Sequence, residues 1–362
     1  MLWQRPKFSF SSLSFKNERF HFGLGESVFL SHARNGIFQA LELIKREDER
    51  RRVLAPASIC SVAIAPIINQ GYEILYYDID DQFNPVLNEN LDLTNVSIFL
   101  YVNFFGLSSS AQKVREFCNQ HQIYMIEDCA LTMPSSDQSQ IGKIGDFSIF
   151  SLRKFLPIPD GAVLVCNNEQ FNLNNIGFNN QSFKEEVKQF ISFMVILLKP
   201  MLSSFLKFKY KKIQLSKPLK NYEDLDLSFQ NYSKRISKIS RHLLKFISIK
   251  KYIEERNTIF QSVVRSLDKS KVQVLIHESN KDAIAYIVPV RLENRDNILE
   301  SLYREGLFLE PSLNEPFVDN EKIIKTNDSY AELRSKCSSF IGIPTHRDIL
   351  SHQIHVKEIL CQ

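Results

Sequence analysis

Between Val28 and Cys166, short apolar runs alternate with stretches of helical repeat, and few folds accept that rhythm. Val53–Pro56, Glu73–Asp78, Val96–Val102 and Ile123–Ile126 read as strands. Among them Ile37, Ala40, Leu41 and Ile44 recur at helical spacing, Ser61–Asn69 is helical and mostly apolar, and Ala111–Gln120 is a further helix. Apolar strands separated by helices predict a parallel sheet covered on both faces. Ligands of such sheets bind at the carboxyl ends of the strands. Two strands run straight into carboxylates there, Asp78 and Asp128.

The stretch from Ile123 to Val165 carries the chemistry. The strand Ile123–Ile126 leads into Glu127-Asp128, a glycine turn follows at Gly142-Lys-Ile-Gly145, and Phe147-Ser-Ile-Phe150-Ser151-Leu-Arg-Lys154 ends in a lysine. Taken singly, Asp128 is as well explained as a turn cap, and Lys154 as a surface cation. Together they form a pair in which a carboxylate holds a proton on a heteroaromatic nitrogen and an amine makes a Schiff base. Ser151, placed as Ser-x-x-Lys, offers a hydroxyl to a phosphate. The pattern reads as a pyridoxal-phosphate site. The small and polar residues from Ser31 to Asn35 open a helix, either as a plain N-cap or as a cradle of N–H groups for an anion.

Composition excludes several other classes. The 362 residues suffice for one large and one smaller domain, and a net charge of +4 gives no sign of a nucleic-acid partner. The six cysteines (60, 118, 129, 166, 337 and 361) show no C-x-x-C pair and no metal spacing, so buried reduced thiols are expected. No signal-peptide core stands at the start, and no run reaches the roughly 20 apolar residues that span a bilayer.

At these residues the sequence resembles the DegT/DnrJ/EryC1/StrS sugar aminotransferases. Val53–Gly71 and Tyr76-Tyr-Asp-Ile-Asp80 resemble that family's strand, helix and strand. Phe105-Gly106 with Ile126–Ala130 resembles the segment leading to its cofactor aspartate, and Gly142–Gly161 its lysine segment. Tyr286–Pro311 and Ile341–His346 resemble its C-terminal domain. The resemblance implies a fold-type-I, pyridoxal-5′-phosphate-dependent α/β protein, with a mostly parallel sheet flanked by helices and a smaller C-terminal α/β domain. It makes Lys154 the Schiff-base lysine and general acid/base, and Asp128 the partner of the pyridinium nitrogen. Ala33, Arg34 and Asn35 become the phosphate cup, and Ser151 a hydroxyl to the same phosphate. Asn231 stands where a partner subunit's asparagine reaches that phosphate.

The sequence departs from the family at several of these places. Cys60 occupies the position of the ring-stacking aromatic, and Leu131 replaces a Gln or His three residues after the aspartate. Ile149 replaces a serine, leaving Ser148 or Ser151 to supply the hydroxyl, and Gly161-Ala162 replaces Gly-Gly. The activity implied is transamination of a nucleotide-linked keto sugar by an amino-acid donor, glutamate by expectation, for surface polysaccharide or a related glycan. The enzyme would be a homodimer in the cytoplasm. A family branch that dehydrates sugars carries histidine at the lysine position, which Lys154 argues against. The departures keep a second class open, a non-catalytic regulator on the same fold.

The domains expected are an N-terminal segment 1–27, a cofactor-binding domain 28–225 and a C-terminal domain 226–362. Residues 229–267 read as one long helix, with Ile236, Ile239, Leu243 and Leu244 on one face, and Ala283–Val290 reads as one strand. Residues 190–212 form an apolar-then-basic insertion broken at Pro200, with Lys207, Lys209, Lys211 and Lys212 at its end. It is either a helical hairpin packed on protein or an amphipathic segment in peripheral contact with a membrane.

Overall fold

The apolar runs read as strands between Val28 and Cys166 all join one eight-stranded sheet. The computed structural model describes residues 2–3, 6, 8, 22, 24–87, 91–106, 110–206, 227–229, 231–268, 270–275, 283–311 and 337–360. In chain order the first half comprises β1 (Leu2–Trp3), β2 (Glu26–Leu30), α1 (Ala33–Glu47), β3 (Arg52–Pro56), α2 (Ser61–Asn69), β4 (Glu73–Ile79), β5 (Pro85–Val86) and β6 (Val96–Val102). Then come α3 (Ala111–Gln120), β7 (Tyr124–Cys129), β8 (Thr132–Pro134), β9 (Phe147–Phe150), α4 (Leu152–Phe155) and β10 (Ala162–Cys166).

The sheet order is β2-β10-β9-β7-β6-β3-β4-β5. The five strands from β9 to β4 are parallel, and β10, β2 and β5 join antiparallel. Every residue of β6 and β10 is buried, as strands covered on both faces require. Ile37, Ala40, Leu41 and Ile44 of α1 are buried too, so the helical spacing marked the covered face. The parallel strands end together at Pro56, Ile79, Val102, Cys129 and Phe150, and this common edge is where the site forms.

The second half comprises α5 (Phe183–Leu206), α6 (Lys238–Leu244), α7 (Ile249–Ser266), β11 (Gln273–Val274), β12 (Ala283–Ala285), β13 (Ile287–Arg291), α8 (Arg295–Arg304), β14 (Leu307–Phe308), β15 (Glu310–Pro311), β16 (Phe340–Pro344) and α9 (Gln353–Leu360). Its antiparallel sheet runs β11-β13-β16-β15. The halves are stitched where β12 pairs with β8, directly after the strand bearing Asp128. Gly106 lies under that ribbon with φ +72°, and a Cβ there would stand 2.4 Å from the Cβ of Ala283. Only glycine fits such an approach at such a dihedral.

Three expectations are corrected. Residues 229–267 are not one helix: Ser237 and Ser248 each cap a helix start by accepting the N–H of Ser240 and Lys251. The preceding segment is extended, with Arg235 bridged to Leu30 of β2. The run Ala283–Val290 divides at Tyr286, because β12 pairs with β8 while β13 joins the small sheet. Pro200 does not break the insertion, since α5 continues through it to Leu206. A proline there removes one hydrogen bond, to the carbonyl of residue 196, and six further helical residues follow it.

Residues 207–212, with their four lysines, lie outside the described residues, as does most of 1–27. Cys118, Cys129, Cys166 and Cys337 are buried free thiols and Cys60 is half-buried, while Cys361 lies outside the described residues. Among the described residues no helix is long and apolar enough to cross a membrane, and no cluster could hold a metal ion.

Candidate active site

The adjacent acids Glu127 and Asp128 point to opposite sides of β7, as successive strand residues must. Glu127, fully buried, takes the N–H groups of Ile144 and Gly145 on Oε1 at 2.8 and 2.6 Å and that of Gly142 on Oε2 at 3.3 Å. Its register partner in β9 is Ser148, which donates to the Gly142 carbonyl at 2.8 Å. That engagement leaves Ser151 as the hydroxyl on the lysine side. The Glu127 face is therefore a lock on the turn that delivers β9. Asp146 adds to it, binding Arg115 at 2.8 Å and the Met125 N–H at 2.7 Å.

Asp128 faces the other way with much less support. It is 6% exposed, and the hydrogen bond described for its carboxylate comes from the Ala130 N–H at 2.9 Å. Burial pushes its carboxyl up from the ordinary carboxylate range, against the pull of that N–H and of the Lys154 charge. Its register partner is Ile149, whose Cγ1 would stand 3.0 Å from a Cβ at position 36. The serine-to-isoleucine departure thus seals α1 onto β9 through Gly36.

Lys154 sits on the single turn α4, opened by the buried Ser151. Two strands frame the turn: Arg153 donates its N–H to the Gly161 carbonyl, and Gly161 donates to Ser31 beside the start of α1. The Lys154 ammonium lies 5.6 Å from the ring centroid of Tyr286. Its charge is felt at both Asp128 and Cys60. Cys60 immediately precedes α2, and burial pushes its thiol up while Lys154 opposes that. Three predicted residues, Asp128, Lys154 and Cys60, therefore share one locus at the carboxyl edge of the sheet.

The phosphate-cup residues begin α1, whose N-cap, His32, makes no side-chain cap. Asn35 Nδ2 donates to Ser31 Oγ at 3.1 Å and to the carbonyls of Asn231 and Lys234 at 3.2 and 3.4 Å. The Arg34 guanidinium stacks 3.7 Å over Phe229. These two side chains anchor Phe229 and residues 231–235, so an anion at this helix start would be met by backbone N–H groups rather than by them, and that of Asn35 is already donated to the His32 carbonyl at 3.1 Å. Asn231 meets its own chain through its carbonyl and is exposed.

The residues present fit pyridoxal phosphate. Asn103 directly follows β6 and donates its N–H to the Asp128 carbonyl at 3.0 Å, yet both its buried amide atoms lack a partner. The buried Ser58 hydroxyl, at the end of β3, also lacks one, as does Asn35 Oδ1. Buried polar atoms are rarely left unpaired unless a ligand or water completes them. An uncapped helix start, unpaired donors, a carboxylate and an amine match the polar groups of a phosphorylated pyridine.

Sequence reasoning missed Asn103 and Ser58, and it missed Arg256. That guanidinium, 2% exposed, donates to Thr345 Oγ1 at 2.8 Å and to the Lys154 and Phe155 carbonyls at 3.3 and 3.1 Å. Burial lowers it to about 10, so it stays a cation at neutral pH. Tyr286 was read only as part of a C-terminal segment. Glu127's role has a sequence signal, adjacency to Asp128 in a strand, whereas Arg256 has none.

A model of the DegT/DnrJ/EryC1/StrS aminotransferase family matches residues 19–358. Over 71 residues the chain is 31% identical to GDP-perosamine synthase of Vibrio cholerae, a match that covers 19% of this chain and 19% of that one. An aminotransferase of the same family from Brucella abortus superposes with a TM-score of 0.58 at 15% identity, over 93% of this chain and 85% of its own. A mutant GDP-4-keto-6-deoxymannose-3-dehydratase with bound GDP-perosamine gives 0.61 at 15% identity, over 94% and 89%. The chain has fold type I and belongs to the DegT/DnrJ/EryC1/StrS family of pyridoxal-phosphate-dependent aminotransferases.

Proposed function

We propose that this protein transfers an amino group from an amino acid, glutamate, to a keto sugar carried on a nucleotide, as a homodimer in the cytoplasm, for a surface polysaccharide or related glycan. Residues 28–225 form its cofactor domain and 226–362 its C-terminal domain. The observation that carries this reading is Lys154, a lysine and not a histidine, in electrostatic contact with buried Asp128 at the carboxyl edge of the sheet. The sugar substrate is supported by the GDP-perosamine in the names of two relatives.

The bound cofactor supplies an electron-accepting ring. Lys154 Nζ would provide the covalent attachment point and, once free, would serve as the base that takes the proton from the donor's Cα. Asp128, as the carboxylate, would keep a proton on the ring nitrogen, and the ring's positive charge would in turn compensate the buried anion. The start of α1 at Ala33 and Arg34 and the Ser151 hydroxyl would hold the phosphate, the Asn35 N–H being donated to the His32 carbonyl, and Cys60 would take the place of the ring-stacking residue. The exposed Asn231 would be the residue that reaches the phosphate of the second copy. The unpaired Asn103 amide and Ser58 hydroxyl would supply donors to the bound cofactor.

Purified protein with a panel of nucleotide-linked keto sugars and glutamate tests the reaction. The expected result is an aminated sugar by mass spectrometry, and loss of both product and the visible cofactor band in Lys154→Ala. Near-normal transfer by that variant would overturn the assignment.

A further inference from the structure

We infer that Tyr286 is a positioning residue for Lys154, its ring face receiving the lysine's ammonium group whenever the amine carries a proton. The inference rests on the role of Lys154 proposed above. Tyr286 is buried and stands between β12 and β13. Its backbone is fixed from three directions. The N–H goes to the Leu131 carbonyl at 3.1 Å, just beyond the strand that bears Asp128. The carbonyl takes the Thr345 hydroxyl at 3.0 Å and Arg256 Nη1 at 3.5 Å. So held, the ring has its centroid 5.6 Å from Lys154 Nζ, within reach of the attraction between a cation and an aromatic face.

The neighbouring charges explain why a lysine here needs such a face. Arg256 of α7 is a second cation, buried, with Nη2 on the Lys154 carbonyl. Buried like charges disfavour each other's charged form. Two rings stand in line between them: the Arg256 guanidinium lies 5.0 Å from the Phe155 centroid, and the Phe155 ring is tilted against that of Tyr286 with centroids 5.6 Å apart. The other groups that feel the lysine's charge are Asp128 of β7 and the Cys60 thiol before α2. A protonated cofactor nitrogen would compensate the Asp128 anion and weaken its pull on the lysine. The Tyr286 face keeps its attraction, because an aromatic quadrupole has no net charge to neutralise. In the transfer the proton leaves the donor's Cα, the bond pair passes into the cofactor ring, and Nζ carries the proton until it is handed on. The ring face steadies the lysine in that state.

Capture of pyridoxal 5′-phosphate by the full-length apoprotein tests this, followed as the rate of colour formation against pH. The neutral amine adds to the cofactor's aldehyde and water leaves, so the rate rises as Lys154 loses its proton. Tyr286→Leu removes the ring face and makes the ammonium easier to deprotonate. Its profile should move about one pH unit lower, with capture below the midpoint about tenfold faster. Tyr286→Phe keeps the face and should keep the wild-type profile. Tyr286→Met, which also lacks the face, takes the place of the leucine variant should that one fail to fold by circular dichroism. A profile that stays put in the variant without the ring overturns the inference, and so does slower capture at every pH, which marks a structural role alone. An equal shift in Tyr286→Phe overturns it as well, because the hydroxyl would then be the active group. Colour formation by Lys154→Ala would instead overturn the role of Lys154 itself.

Discussion

The two faces of β7 carry neighbouring carboxylates with opposite duties. On one face Glu127 is surrounded by donors and takes three backbone N–H groups. On the other, Asp128 has the N–H of Ala130 and the charge of Lys154. Burial raises the pKa of both. The difference shows how one strand can build and react at once: a saturated acid fixes the turn, and an undersupplied one waits for a ligand. Buried charge with few partners is costly to the free protein and useful to the complex.

The sharpest way to break this contrast is to remove the builder. Glu127→Ala strands three N–H groups and should cost about 3–5 kcal/mol in urea unfolding, with the visible cofactor band kept in whatever fraction folds. Loss of the band from a variant of unchanged stability would place Glu127 in the site instead. Asp128→Asn should do the reverse. Turnover falls about a hundredfold or more, while the melting temperature of the apoprotein does not fall, because the amide keeps the Ala130 bond and sheds the buried charge.

A pH series sharpens the same pair. Both raised carboxyls bind protons in the native apoprotein that the unfolded chain has already released. Apoprotein stability should therefore fall as pH rises from the ordinary carboxyl value through the raised ones. In Asp128→Asn one contributor is gone, and the slope should be shallower; an unchanged slope would mean Asp128 titrates normally.

Arg256→Met should cost about 1–2 kcal/mol and lower turnover about tenfold with the cofactor still bound, since the lysine loses its backbone anchor. Ser148→Ala is the mildest, about 1 kcal/mol of stability with turnover unchanged, in keeping with its place on the Glu127 side.

The parallel core was legible because its signals are local. Val96–Val102 and Ala111–Gln120 have the bounds read from their apolar pattern. The locus of Asp128 and Lys154 was legible because strand-end carboxylates and the lysine segment are close in sequence. What escaped depends on distance. Asn103 looks like any loop asparagine until its amide is seen without partners. Arg256 lies on a helix whose charged residues mostly face solvent, and only the fold brings it to the lysine. The single helix read over 229–267 failed because hydrophobic spacing there spoke louder than Ser237 and Ser248.

The grip of Arg256 also bears on the order of assembly. It joins the Lys154 carbonyl to Thr345, 191 positions further along the chain, across a stretch that includes the whole antiparallel sheet. A contact of that span closes late, after the more local strand pairings have formed. A chain with its parallel sheet in place but Arg256 undocked would present the lysine on a turn that lacks its distant anchor. In a refolding experiment, colour from the captured cofactor should then lag secondary structure and mark the moment the distant segment arrives. The lysine's readiness is a clock for completion of the fold.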